Sequence, residues 1–317
     1  TRVRSSAASD VYKRQDWSLD AEIERNGSNE RRLTVRPKDA PVGDVLLPVL
    51  PRPLTLAPDM PVSGRIEIDI GGDGRVKSAK GSLRAGAAAW NEPGEKGPLL
   101  VTDEINADFA YDGTTHVIDV SRFSVLAGDT NIVVNGHISP AADGDFTFDL
   151  AGGGGTIAGA GPGDQPIQID RIHALGSLSP RDAAISVSPV ELSGKDVAVA
   201  MNASYRRGRT GGLTVAIQSG RMPVRALLAL WPPVFVKDVR QYLVERFERG
   251  IVEHFSFTSS LSEASLTDAF TNRPVPDEAV RMTADLSDMT LRFSDELPPL
   301  TSTAMHVDGT GRSSSIS

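Results

Sequence analysis

The sequence predicts a mainly β protein in which strands form an antiparallel sheet, interrupted once by a short helical hairpin. Three observations support this class. Apolar and polar residues alternate along most of the chain, turn-forming residues separate the alternating segments, and one double proline precedes one amphipathic helix. Alternation with a period of two is typical of a strand with one buried face. With 317 residues, the chain is long enough for one large or two ordinary domains.

Composition excludes several classes of function. The formal net charge is −8 and the basic residues are scattered, so we expect no nucleic-acid partner. The chain has no cysteine, which excludes a disulfide scaffold and a thiolate metal site but suits both a reducing cytosol and a bacterial periplasm. No run of about eighteen apolar residues is present, so no membrane-spanning helix is predicted.

The two ends of the sequence look different from the rest. Residues 1–15, TRVRSSAASDVYKRQ, are polar and show neither helical nor strand periodicity, so we interpret them as a non-native leader outside the fold. The last residues, GRSSSIS, stop within a pattern. We therefore expect an internal fragment whose true beginning, with any signal or membrane anchor, lies outside this sequence.

The first β segment, residues 16–151, contains a clear hairpin signal. The stretch RIEIDI alternates Ile66, Ile68 and Ile70 with charged residues. It is followed by GGDG, which is typical of a tight turn, and by a strand that starts at Val76. The sequence therefore predicts two antiparallel strands here.

Further along, residues 116–138 predict three short antiparallel strands, with breaks at Ser121-Arg122 and at an Ala-Gly-Asp turn. Residues 152–166 are rich in glycine, alanine and proline and predict a linker or long loop. The alternating pattern then restarts in a second β segment, residues 167–221.

The two β segments share an internal repeat of strand, kink, strand, glycine and strand, at a separation of roughly 65 residues. A shorter third copy occurs in the last segment, residues 251–317. Because one such meander cannot close a core alone, neighbouring copies are expected to stack edge to edge into an elongated sheet.

The helical hairpin is predicted over residues 222–250. Pro223 suits a first helical position, Pro232-Pro233 must end the first helix, and Gly250 supplies the stop of the second. The apolar positions at helical spacing are Val224, Leu227, Leu228 and Trp231, then Val236, Val239, Leu243 and Phe247. The hairpin either covers one face or edge of the sheet or acts as a plug or lateral gate.

Part of the hairpin resembles a known family. The run Trp231-Pro232-Pro233, with Arg240, Tyr242-Leu243 and Gly250 leading directly into a strand, resembles the helical insertion of AsmA-like proteins of the YhdP and TamB type. The stretch around Pro298-Pro299, between two strands, is similar to the repeating unit of that family. The resemblance covers most of residues 16–311 and includes no catalytic signature.

The resemblance implies a location and a function. Such proteins are anchored in the bacterial inner membrane by an N-terminal helix, here outside the sequence, and extend through the periplasm as a long, curled β-sheet with an apolar groove. They are implicated in moving phospholipid between the inner and outer membranes, and outer-membrane or periplasmic proteins are further candidate partners. An apolar groove would gain about 0.8 kcal/mol per buried methylene of an acyl chain.

The apolar rows of the predicted strands supply the candidate groove-lining residues. They are Ile66, Ile68, Ile70, Ile118, Val120, Ile132, Val134, Val197, Val199, Leu213, Val215, Ile217, Phe255 and Phe257.

Two other classes of function remain open. The same alternation would build the dry core of a β-sandwich, and the protein would then be a non-enzymatic scaffold in outer-membrane assembly. An enzyme of surface polysaccharide would need clustered carboxylates, whereas the acidic residues lie mainly at predicted turns and outward strand positions. The five histidines show no metal-ligand spacing and no G-x-S-x-G motif is present, so we expect no metal, no cofactor and no catalytic site.

Overall fold

The chain folds as a mainly β protein with antiparallel strands and short helices, as the sequence predicted. A computed structural model describes residues 3–8, 17–25, 29–41, 60–90, 100–208, 210–231, 237–270, 273–292, 294 and 296–317. The chain divides into two compact units, Thr1–Leu150 and Ala151–Ser317. None of the helices in these described ranges is long and apolar enough to cross a lipid bilayer.

The first unit is a sheet of antiparallel strands. Its pairing order is β1, β2, β3, β5, β6, β9, β10 and β11, with β4 beside β5 and a separate pair of β7 and β8. The strands are β1 (Val3–Ala8), β2 (Ser18–Arg25), β3 (Arg31–Lys38), β4 (Ala40–Pro41), β5 (Pro61–Ile70), β6 (Val76–Ala85), β7 (Ala88–Trp90), β8 (Leu100–Thr102), β9 (Glu104–Asp112), β10 (Ile118–Ala127) and β11 (Thr130–Pro140), followed by a 3₁₀ turn at Ala142–Gly144.

Strand β12 (Phe146–Ile157) spans the boundary between the two units. In the second unit the pairing order is β13, β14, β15, β16, β18, β19, β20 and β21, with β17 beside β18. The elements are β13 (Ile167–Ser179), β14 (Ala184–Gly194), β15 (Val197–Arg206), β16 (Gly212–Ser219), β17 (Met222–Pro223), α1 (Val224–Leu230), α2 (Lys237–Arg246), β18 (Phe247–Ser262), α3 (Glu263–Phe270), a 3₁₀ turn at Asp277–Ala279, β19 (Val280–Leu291), β20 (Leu300–Thr310) and β21 (Ser314–Ile316).

The predicted kinks of the internal repeat are β-bulges. Strand β10 passes through Ser121-Arg122 without a break, so the three short strands expected in residues 116–138 are two long ones. The register of β10 shifts directly after Val120. The corresponding shift in β14 directly follows Val187. Because the bulge absorbs one extra residue, the apolar residues on both sides of it stay on one face.

One predicted boundary is wrong, and the expected leader contains a strand. The glycine-rich start of residues 152–166, expected to be a loop, belongs to β12 as far as Ile157, because a strand's backbone hydrogen bonds need no side chains. Part of the expected leader, Val3–Ala8, pairs with β2, since the edge of β2 offers free backbone groups to any extended segment. The loop proper is limited to residues 158–166.

The helical region differs from its prediction in two respects. Helices α1 and α2 form where expected, although Pro232 and Pro233 lie outside the described residues. Gly250 does not end a helix, since α2 stops at Arg246 and Gly250 lies inside β18. Helix α3 was not predicted, and its cap is Ser262, whose Oγ accepts a hydrogen bond from the Ser265 N–H at 3.2 Å.

Candidate functional site

One face of the sheet in the first unit carries all of the candidate apolar residues of that unit. Residues opposite each other in an antiparallel pair point to the same face, and the register links β5, β6, β9, β10 and β11 without a change of face. The residues brought together are Ile66, Ile68, Ile70, Ile118, Val120, Ile132 and Val134. Val120 and Val134 are buried, and the other five are half-buried.

The opposite face of the same sheet is charged. Arg32 donates to Asp69 across β3 and β5 at 2.7 Å, and Lys80 lies 3.0 Å from Glu67 across β5 and β6. The hydrogen bond from Arg32 holds the pKa of the Asp69 carboxyl below its usual range. The sheet therefore has one apolar and one ionic face.

The second unit repeats this arrangement. Its register places the remaining candidates on one face, which we call the apolar face of the second unit. These residues are Val197, Val199, Leu213, Val215, Ile217, Phe255 and Phe257. The alternate positions of the same strands, such as Asn202, Thr214 and Gln218, are exposed and polar.

Both ends of this apolar face are covered by other elements. At one end, Leu266 of α3 packs against Tyr205 and Leu261 in one buried cluster. At the other end, α1 packs on β18, and Val252 of β18, opposite Met222 of β17, has 0% exposure. These two ends are ordinary packed core.

Between the covered ends runs a row of half-buried apolar side chains, one from each of five neighbouring strands. We call it the central row, and it consists of Val190, Met201, Ile217, Phe257 and Met282. Each of these side chains lies beside paired residues of the neighbouring strands, yet none is buried. These side chains therefore keep more solvent exposure than the packed side chains at the two ends of the face.

Arg225 and Arg240 link helices α1 and α2 to loop 158–166, beside the end of the apolar face that α1 covers. Arg225 of α1 donates to Val244 O at 2.5 Å and to Phe247 O at 3.2 Å, at the end of α2. Its Nη2 also donates to Asp164 Oδ2 at 2.5 Å. We call Arg225, Arg240 and Asp164 the arginine cluster.

Arg240 of α2 completes the cluster. It donates to Trp231 O at 2.8 Å and to Ala160 O at 3.2 Å. Burial, and then the charge of Arg225, lower the pKa of Arg240 from its ordinary value. The loop also approaches α2 directly, because a Cβ at Gly161 would lie 2.8 Å from Val244 Cγ1.

The other residues of the family-like motif are scattered. Tyr242 is 44% exposed on α2, with the Arg246 guanidinium 5.9 Å from its ring centroid. Leu243 is half-buried. Pro298 and Pro299 lie in the loop directly before β20.

Sequence reasoning singled out Arg240 but missed Arg225 and Asp164. No spacing signal joins these two residues, because Asp164 lies 61 residues before Arg225 in the chain. The loop residue is brought to the helix only by the folding of β13 to β16 between them.

Within the described ranges, no group of three or more histidine, aspartate or glutamate side chains is arranged to hold a metal ion. Comparison of the chain with family models, with curated proteins and with solved structures gives no match.

Proposed function

We propose that this chain is part of an AsmA-like protein of the Gram-negative periplasm, held at the inner membrane in its full-length form. In this proposal it binds phospholipid acyl chains along the apolar face and conducts them between the inner and outer membranes. The observation that carries the proposal is the central row, a half-buried apolar stripe between two packed ends.

The dimensions of the central row suit one acyl chain. The row crosses from β14 to β19, five strands spaced about 4.8 Å apart, and so spans roughly 19 Å. One leaflet of a bilayer's hydrocarbon core, which is the length of one acyl chain, is about 15 Å thick. Each methylene laid on the row would gain about 0.8 kcal/mol if fully buried.

No chemical step is part of this function. Movement of lipid along a continuous apolar surface is passive, with its direction set by lipid gradients or by partner proteins. The polar opposite face keeps the sheet hydrated on its other side.

The test is lipid retention by the purified protein. The whole chain is produced in the periplasm of a Gram-negative host, extracted with organic solvent, and its phospholipid measured by mass spectrometry. The test variant Val215→Asn/Ile217→Asn changes the apolar face of β16. The control Thr214→Asn/Gln218→Asn changes the exposed face of the same strand.

We expect phospholipid on the parent and on the control, and its loss from the apolar-face variant with far-UV circular dichroism unchanged. A folded parent that carries no lipid would overturn the proposal and favour a closed-core scaffold. Equal lipid on all three proteins would also overturn it, because binding would then not involve the apolar face.

A further inference from the structure

The arginine cluster carries more positive than negative charge in a partly buried position. Arg225 is 27% and Asp164 25% exposed, and they form one ion pair. Arg240 is half-buried and has no carboxylate partner among the residues that the structure describes. Partly buried charges are normally neutralised by a partner, so the excess charge favours an additional anion.

Arg240 also has hydrogen-bonding capacity left over. Its Nε and Nη2 donate to main-chain oxygens, while Nη1 has no partner in the described ranges. A guanidinium offers a planar set of donors that matches two oxygens of a phosphate group. A phosphate oxygen at this position would meet Arg240 directly and Arg225 across the cluster.

The position of the cluster relates it to the apolar face. Arg225 directly follows Val224, which is buried in α1, and α1 packs on β18. A Cβ at Gly250 of β18 would lie 3.4 Å from Val224 Cγ2. Helix α1 therefore carries both Val224, which packs at the covered end of that face, and Arg225 of the arginine cluster.

We propose that Arg240, together with Arg225, binds the phosphate of the phospholipid whose acyl chain lies on the apolar face. This inference rests on the proposed function and adds the headgroup chemistry, an anionic phosphodiester. Asp164 acts as the internal competitor, since its carboxylate accepts a hydrogen bond from Arg225 Nη2.

Substitutions of Asp164 and Arg240 should change phosphate affinity in opposite directions. In Asp164→Asn the amide oxygen can still accept the hydrogen bond that Gly161 N–H donates to Asp164 Oδ2 at 2.9 Å. The negative charge is lost, so phosphate binding should strengthen. Arg240→Gln removes a positive charge and should weaken it. A purely structural role for the cluster would make both variants neutral or both weaker.

The experiment uses the delipidated whole chain and isothermal titration with three probes. Dihexanoyl phosphatidylglycerol has phosphate and chains, dihexanoylglycerol has chains alone, and glycerol 3-phosphate has phosphate alone. Arg221→Gln is the matched control, because Arg221 is 65% exposed and pairs with Glu253 on the surface.

We expect Arg240→Gln to weaken phosphatidylglycerol binding about tenfold or more, the effect of losing charged hydrogen bonds. Dihexanoylglycerol binding should not change, and Arg221→Gln should behave as the parent. Asp164→Asn should bind phosphatidylglycerol more tightly than the parent, by a margin that shrinks as salt is raised.

If Arg240→Gln lost as much affinity for dihexanoylglycerol as for phosphatidylglycerol, the inference would be overturned and the proposed function would stand. Weaker binding of phosphatidylglycerol by Asp164→Asn would have the same meaning. Glycerol 3-phosphate binding as tightly as phosphatidylglycerol would show a site for free phosphate and also overturn it. Failure of both chain-bearing probes to bind would instead overturn the proposed function.

Discussion

The close packing of Gly250 in β18 against Met289 in β19 predicts the effect of a single added methyl group. A Cβ at Gly250 would overlap Met289 Sδ and lie 3.0 Å from its Cε. Met289 is 1% exposed, so its side chain can shift only against other packed atoms. We expect Gly250→Ala to lower the free energy of unfolding by about 1–3 kcal/mol, the usual effect of overpacking a core.

A double-mutant cycle isolates this contact. Met289→Ala alone creates a cavity and should lower the free energy of unfolding by about 2–5 kcal/mol. In Gly250→Ala/Met289→Ala the new methyl group occupies part of the vacated space. The loss in the double variant should therefore be smaller than the sum of the single losses by about 1 kcal/mol or more.

The assay is guanidinium unfolding followed by far-UV circular dichroism, with hydrogen exchange of β18 and β19 peptides to assign the transition to the second unit. Gly153→Ala is the control, because a Cβ at Gly153 would meet nothing within 4 Å. Strictly additive losses, or a Gly250→Ala protein as stable as the parent, would refute the packing argument.

Two further predictions concern the backbone and pH. Gly136→Ala should lower the free energy of unfolding in guanidinium by about 1–3 kcal/mol, because its Cβ would overlap the main chain of β12. Gly128 lies in open space at a φ of 55°, so Gly128→Asn should change the free energy of unfolding by less than about 0.5 kcal/mol. A larger loss for Gly128→Asn than for Gly136→Ala would contradict this prediction. A hydrogen bond to Asp285, with the nearby charge of Asp308, raises the pKa of His306. Its stabilising contribution should therefore be complete below the ordinary pKa of histidine and be lost as pH rises through the raised pKa. NMR titration of the His306 ring checks the direction of this shift, and a pH dependence of unfolding that is unchanged in His306→Gln would contradict the assignment.

Alternation in the sequence predicted which residues share a face, but not which faces are covered. The Ile66 to Val134 candidates share one face because register parity follows directly from period-two spacing. Exposure is different, since it depends on what packs above the sheet. In the alternating strand β2, the charged Glu22 is 5% exposed, while its apolar neighbour Ile23 is 40% exposed.

The unpredicted parts of the candidate site depend on long-range contacts. Helix α3 could have been inferred from Ser262 as a capping residue, because this signal is local. The ion pair of Asp164 and Arg225 has no local signal of this kind. Its members meet only because loop 158–166 and α1 are placed together by the intervening strands.

The bulges after Val120 and Val187 have a consequence for how such sheets can change in evolution. In a regular strand, inserting or deleting one residue reverses the orientation of every side chain beyond that point. A bulge adds or removes that residue locally, so strand length on one side can drift while the apolar pattern on the other side is preserved. Duplicated meanders that contain such a bulge can diverge in sequence and length and still align their apolar faces with those of the neighbouring copy.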